Sequence, residues 1–403
     1  MKIMSVVGIL ALIAIAYIFS TNRKAIKWRT VLAAFAVQFA FAFLVLYTAW
    51  GRKALEWISN GVQAVLNTAG DGIAFVFGTA VGGDNFVFAF QVLPIIIFMS
   101  SLIALLYYLG VMQWVIRILG TALAKALGTS RKESLSATAN IFVGQTEAPL
   151  VIKPYLPTMT QSELFAVMVG GLASVAGSVL AGYAALGVPL EYLLAASFMA
   201  APAGLLFAKI IVPETEEYDD DIEIVEDEED RAANFVDAAA RGASDGLFLA
   251  LNVGAMLLAF VSLIALVNLI LGSVGGLFGF DSLSLELILG YVFAPLAFVI
   301  GVPWADAVQF GSFLGQKLVL NEFVAFSEFA PIIGSGDLSA RSEAMIAFAL
   351  CGFANISSLA ILLGGLGGMA PNRRGDIARM GVLAILAGTL ANLMSATLAG
   401  LLL

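Results

Sequence analysis

The chain has 403 residues, of which 61% are hydrophobic and 12% charged, with a mean hydropathy of +0.97. Soluble domains carry about a quarter charged residues, so this composition excludes an ordinary soluble protein. The net charge of −9 is local: residues 214–230 hold twelve acidic and no basic residues, and the remainder of the chain stands at +3.

Apolar runs of about 18 or more residues recur along the chain, the length a helix needs to cross a bilayer. The predicted fold class is therefore an all-α polytopic membrane protein. There is no histidine. That removes the usual general base, the usual metal ligand and any Ser-His or Cys-His nucleophile pair. The single cysteine, Cys351, lies in an apolar segment and reads as a small packed residue. No basic face suggests nucleic acid.

Residues 3–20 are apolar and are followed by Arg23, Lys24, Lys27 and Arg29. A cleaved signal peptide carries its charge in front, so this is expected to be a retained first span with its N-terminus outside. Residues 30–49 form the second span. Residues 52–70 are amphipathic and predict an outer interfacial helix, followed by a loop with Asp84 and Asn85. Together residues 1–90 make an N-terminal unit. Residues 87–119 are longer than a bilayer requires and predict one tilted helix. Arg117, Lys125, Arg131 and Lys132 mark a second cytoplasmic loop.

Residues 134–157 are apolar but interrupted by Gly144-Gln145-Thr146-Glu147-Ala148-Pro149. Gly144 suits a helix end and Pro149 the first turn of a new helix. Each half is too short to span, so the stretch predicts a re-entrant hairpin, with a surface loop as the plainer alternative. An ionisable group in such a break is a functional-site candidate. Residues 162–187 form a Gly/Ala/Ser-rich span, and residues 190–211 return to the cytoplasm; with the hairpin these make a first repeat over 120–211. Small residues favour close helix packing, and they also let a helix unwind. The acidic run within loop 212–242 is expected to be solvated. Residues 243–272 are a second over-long span.

The plan then recurs over 284–403. Residues 284–301 are interrupted by Pro295, and residues 304–330 read as a second hairpin broken at Asn321-Glu322. Residues 342–368 are again rich in small residues, and 376–401 form the last span. Arg373, Arg374 and Arg379 between those spans are expected to be cytoplasmic, which puts the C-terminus outside. Ser162-Glu163 matches Ser342-Glu343, and with a one-residue gap Gly171-Leu-Ala-Ser174 matches Gly352-Phe-Ala-Asn355. Two halves of opposite topology, each with a broken segment, point to a secondary transporter with its site between the repeats.

Gly144-Gln-Thr-Glu-Ala-Pro-Leu150, Asn321-Glu-Phe-Val-Ala325 and Gly352-Phe-Ala-Asn355-Ile-Ser-Ser358 resemble the signature stretches of the concentrative nucleoside transporters. Val212-Pro-Glu-Thr-Glu216 and Leu251-Asn-Val-Gly-Ala-Met256 are similar to that family too, so the resemblance covers the chain from about residue 90. It implies a homotrimer in the cytoplasmic membrane, each protomer with eight spans, two opposed hairpins and interfacial helices. Helices 87–119 and 243–272 would form the scaffold, and the hairpins and small-residue spans an elevator-like transport domain. By resemblance, Gln145, Thr146 and Glu147 would face the nucleobase. Glu322, Asn355 and Ser358 would hold ribose hydroxyls, and Phe353 and Val179 would pack the apolar surface. A sodium site would fall on Asn140, Val143, Ser174 and Val175. Substrates such as uridine, cytidine and adenosine, imported with sodium, are implied. No organic cofactor is expected.

The residue types suit that chemistry. A carboxylate accepts strongly from hydroxyls, and amides and hydroxyls both donate and accept. Asn140 and Ser174 offer oxygen to a hard cation. On residue type alone Asn140 is equally a helix-packing amide. Three other readings exist. A proton could replace sodium, with Glu147 or Glu322 as its carrier. An intramembrane enzyme could use the two carboxylates as acid and base, and a channel could use polar rings.

Overall fold

In a computed structural model the described residues are 1–78, 87–218, 232–280 and 282–403. Asp84, Asn85 and the acidic run beyond Tyr218 lie outside them. Among the described residues the chain is helical, without strands. Helices α1 (Lys2–Ile18) and α2 (Trp28–Ala42, extended by a π turn to Tyr47) open the fold, and α3 (Ala49–Phe77) follows.

The expected single helix over 87–119 is three: α4 (Phe88–Gln91), α5 (Leu93–Tyr108) and α6 (Val111–Leu127). Helices α4 and α5 part only at Val92, whereas the break between α5 and α6 is set by Gly110, whose φ of 76° ends one helix and starts another. Hydropathy does not register this turn, because both flanks are apolar.

Next come α7 (Arg131–Ala139), a 3-10 run over Ala148–Thr158, α8 (Gln161–Ala173), α9 (Gly177–Ala185) and α10 (Leu190–Ile211). After α11 (Phe235–Gly276) and α12 (Leu285–Val299), the same order returns. It consists of α13 (Trp304–Val319) with α14 (Glu322–Phe329), the broken pair α15 (Ala340–Leu350) and α16 (Ile356–Met369), and α17 (Arg374–Leu402). Helix α12 runs through Pro295 without the interruption that the sequence predicts there.

Side-chain caps set several starts. Ser130 and Thr160 form capping boxes with Glu133 and Glu163. Asn321 and Asn355 cap α14 and α16 by accepting from the N–H of Val324 and Ser358.

By length and composition, six helical runs among the described residues can cross a membrane: 28–47, 88–108, 161–185, 190–211, 235–276 and 371–402. Helices α8, α9 and α10 and the C-terminal half of α17 are almost wholly buried and form the centre. Helix α11 is largely exposed, and α5, packed along it, is half-buried along nearly all of its length. They pack through small residues: a Cβ on Gly242 would lie 2.5 Å from that of Ala104, and one on Gly246 2.8 Å from the Ile97 backbone.

The two helix–turn–helix segments have their bases at opposite ends of the α15–α16 run. Asp306, in the first turn of α13, accepts from the hydroxyls of Ser339 (2.7 Å) and Ser342 (2.6 Å) at the start of α15. Past the end of α16, Arg373 donates to the Met159 carbonyl beside the base of the first segment. That first base is fastened through Lys209. Its ammonium pairs with Glu133 at 2.6 Å and donates to the Ser162 hydroxyl at 2.9 Å. Glu214, expected in a solvated run, is buried and accepts from Thr160 at 2.8 Å. A buried ammonium at that spot draws in the first carboxylate of the run.

Candidate functional site

The tip of the first segment follows the C-cap of α7, Asn140, and turns before Pro149. Glu147 closes the turn by accepting from the Gly144 N–H at 2.6 Å. Gln145 is buried against α8 at Gly171, where a Cβ would lie 2.7 Å from its own Cβ. Thr146 meets α16 at Gly365 in the same way, at 2.6 Å. The glycines of both broken helices thus admit the tip.

Glu147 faces a cavity of about 630 Å³ between the first segment and helices α5 and α11. Phe142, Val143 and Ser178 line it from one side, Tyr107 and Asp245 from the other. That size suits a small organic molecule.

The second tip builds a separate, buried cluster. The Glu322 carboxylate accepts from the Tyr183 hydroxyl at 3.0 Å and from the Asn355 amide at 2.9 Å. Asn355 cannot turn its amide over, because its oxygen already accepts from the Ser358 N–H (2.8 Å) and the Ser357 hydroxyl (2.7 Å). Tyr183 stacks on Phe326 with ring centroids 4.3 Å apart and meets Phe323 edge-on at 5.0 Å. Val179 lies one turn before Tyr183 on α9 and is buried. Glu322, Asn355 and Ser358 are therefore brought together. Glu147 is not part of that cluster, and the cavity lining includes neither Glu322 nor Asn355.

The two breaks touch. The Phe353 N–H, between α15 and α16, donates to the Ser174 carbonyl, between α8 and α9, at 3.1 Å. The Gly177 N–H donates to Phe142 at 3.0 Å and ties the first break to the first tip. Asn140 packs against Gly170, its amide nitrogen 3.4 Å from where a Cβ would sit. Its nitrogen donates to Ser136, but its Oδ1 is buried without a hydrogen-bond partner. The Ser174 hydroxyl donates to the Gly170 carbonyl at 2.8 Å, leaving oxygen lone pairs free to accept. Val143 and Val175 are buried beside them in the sequence. An orphaned oxygen and a hydroxyl at an unwound helix end fit a hard cation and no transition metal.

Three residues in this region escaped the sequence reading: Tyr183, Lys317 and Asn392. Lys317 is fully buried and donates to the Ala349 carbonyl and to Asn392 Oδ1, both at 2.7 Å. Asn392, from α17, donates to the carbonyls of Ala173 (2.6 Å) and Cys351 (3.0 Å), one in each broken pair. A lysine and an asparagine in apolar helices were available signals. Tyr183 had the weaker signal of a hydroxyl in a small-residue span.

Comparison with known proteins bears on all of these segments. Family models described as Na+ dependent nucleoside transporter C-terminus and N-terminus match residues 192–400 and 7–80. One described as nucleoside recognition matches residues 89–190. Nucleoside permease NupC of Helicobacter pylori is 52% identical over 412 residues, covering 99% of this chain and 97% of that protein. The structure of CNTnw in an inward-facing substrate-bound state is 56% identical, covers 100% of this chain and 98% of that one, and superposes with a TM-score of 0.96. A doubly substituted CNTnw in an outward-facing state gives 0.97 at the same identity and coverage. These relatives are transporters and not enzymes, and the chain belongs to the concentrative, Na+-dependent nucleoside transporter family.

Proposed function

We propose that this protein imports nucleosides by sodium symport across the cytoplasmic membrane, with alternating access of the elevator type. The observation that carries the reading is the joining of two dissimilar polar sites through the helix breaks. One holds an orphaned Asn140 oxygen and the Ser174 hydroxyl, both residues lying against Gly170; the other is the Glu322 carboxylate with its fixed donors.

A carboxylate offers about four acceptor sites. Tyr183 and Asn355 take two and hold the group in place, which leaves two for the vicinal hydroxyls of a ribose. Ser358 would add a hydroxyl, and Phe353 and Val179 would cover the apolar surface. Gln145, Thr146 and Glu147 would read the base from the first tip. Sodium, carried as a co-substrate, would be held by Asn140 and Ser174 with the backbone at Val143 and Val175. Uridine, cytidine and adenosine are the expected substrates.

With α1 and the α15–α16 run added to the six long helices, the count of spans reaches eight. The opposed bases of the two helix–turn–helix segments support two re-entrant hairpins, and the basic loops support outward-facing termini. Helices α5 and α11 are the proposed scaffold. The exposed apolar length of α11 supports a homotrimer.

One sodium ion entering across 100 mV releases ~2.3 kcal/mol. A tenfold sodium gradient adds ~1.4 kcal/mol, so the limit is roughly a few hundred-fold nucleoside accumulation. Labelled uridine uptake into proteoliposomes tests this under separate sodium and proton gradients, with adenosine and guanosine as competitors. Uptake that follows only the proton gradient would eliminate sodium symport. No uptake of any nucleoside would eliminate the substrate class.

A further inference from the structure

The two halves fill comparable places, just before each tip and against the end of the broken helix, differently. In the first, Asn140 lies five residues before Gln145; its amide nitrogen lies against Gly170 near the end of α8, and its buried oxygen has no partner. In the second, Lys317 lies four residues before Asn321 and faces the last turn of α15. There the space is filled by an ammonium on carbonyl and amide oxygens, 2.7 Å from each of two. The ends of α8 and α15 both present carbonyls, which carry the negative end of a helix dipole. No carboxylate among the described ion pairs lies on Lys317, although Glu322 is near enough to feel its charge. A buried ammonium held by oxygen dipoles, with no directly paired anion, is solvated as a free cation would be.

We propose that the Lys317 ammonium is the resident cation of the second repeat, standing where the first repeat takes an exchangeable one. Lys317 is then a specificity-determining residue. It limits coupling to one free cation per protomer and supplies the second break with a tethered group that does not exchange with sodium. The Asn392 amide, bonded to Lys317 and to a carbonyl of each break, locks the filled half to the exchangeable half. The inference rests on the sodium reading above.

Two measurements on the intact purified protein test it. The first counts sodium bound per wild-type protomer at saturating uridine, by equilibrium dialysis with radioactive sodium. One is expected, and two would overturn the proposal. The second follows the melting temperature of wild type and Lys317→Asn as sodium chloride replaces choline chloride. Each exchangeable site adds one unit of slope to stabilisation against the logarithm of sodium concentration, so Lys317→Asn should move from about one unit toward about two. Lys317→Arg keeps the charge and should retain the wild-type slope. A folded Lys317→Asn with the wild-type slope would overturn the proposal alone. A wild type that binds no sodium and is not stabilised by it would remove the sodium reading and this inference together. The dialysis count decides the matter if Lys317→Asn fails to fold.

Discussion

Replacing Glu322 with glutamine changes one oxygen to an NH2 group in a buried cluster. The consequences follow from its neighbours. Asn355 is held with its nitrogen toward Glu322 by the Ser358 N–H and the Ser357 hydroxyl. The glutamine oxygen must therefore face Asn355, and its NH2 must face Tyr183, whose hydroxyl can rotate to accept. The internal bonds survive, so the fold should survive. The ribose loses a charged acceptor. A hydrogen bond to a charged group contributes about 1.5–3 kcal/mol and a neutral one about 0.5–1.5, so the change costs roughly 1–1.5 kcal/mol per hydroxyl. With two hydroxyls, uridine uptake below saturation should fall roughly 30- to 150-fold. The assay is initial-rate uptake in proteoliposomes, with size-exclusion chromatography to check assembly. A correctly sized Glu322→Gln protein that transports uridine at near wild-type rates would refute the ribose role of Glu322.

Tyr183→Phe keeps the ring stack on Phe326 but removes one positioning bond to Glu322. Its KM for uridine should rise about 3- to 10-fold with little change in melting temperature, as suits a bond of ~1 kcal/mol. Asn140→Ala removes the orphaned oxygen, and sodium-dependent stabilisation should vanish while the melting temperature in choline chloride changes little. Gly171→Ala places a methyl 2.7 Å from Gln145 and should lower stability by about 1–3 kcal/mol while displacing the first tip, read by thermal melting and uridine binding. Lys209→Met strands the buried Glu133 carboxylate and should cost about 3–5 kcal/mol, with recovery in the Lys209→Met, Glu133→Leu double variant.

The tips at Gly144–Pro149 and Asn321-Glu322 were legible because helix-breaking and ionisable residues stand out in apolar sequence. The breaks at Ser174 and Asn355 were only half legible: the small-residue stretches 162–187 and 342–368 read as whole spans able to unwind, and the structure divides each in two. The partners of the tips were not legible. Tyr183 reaches Glu322 across 139 positions, and no local pattern encodes that pairing. Lys317 sits inside a segment already marked for its turn, and Asn392 lies within an otherwise uniform last helix. The turn at Gly110 is set by backbone conformation, to which hydropathy is blind. Glu214 shows the reverse failure. Composition describes a run as a whole, whereas one buried lysine selects a single member of it.

The bond from the Phe353 N–H to the Ser174 carbonyl joins the two breaks through main chain alone. No side-chain substitution deletes it, other than proline at 353. Residues that contact base, sugar or ion are thus free to diverge one at a time, altering which nucleoside is accepted. The seam beneath them persists through such changes, proline at 353 apart, and yields to an insertion or deletion that shifts one break past the other.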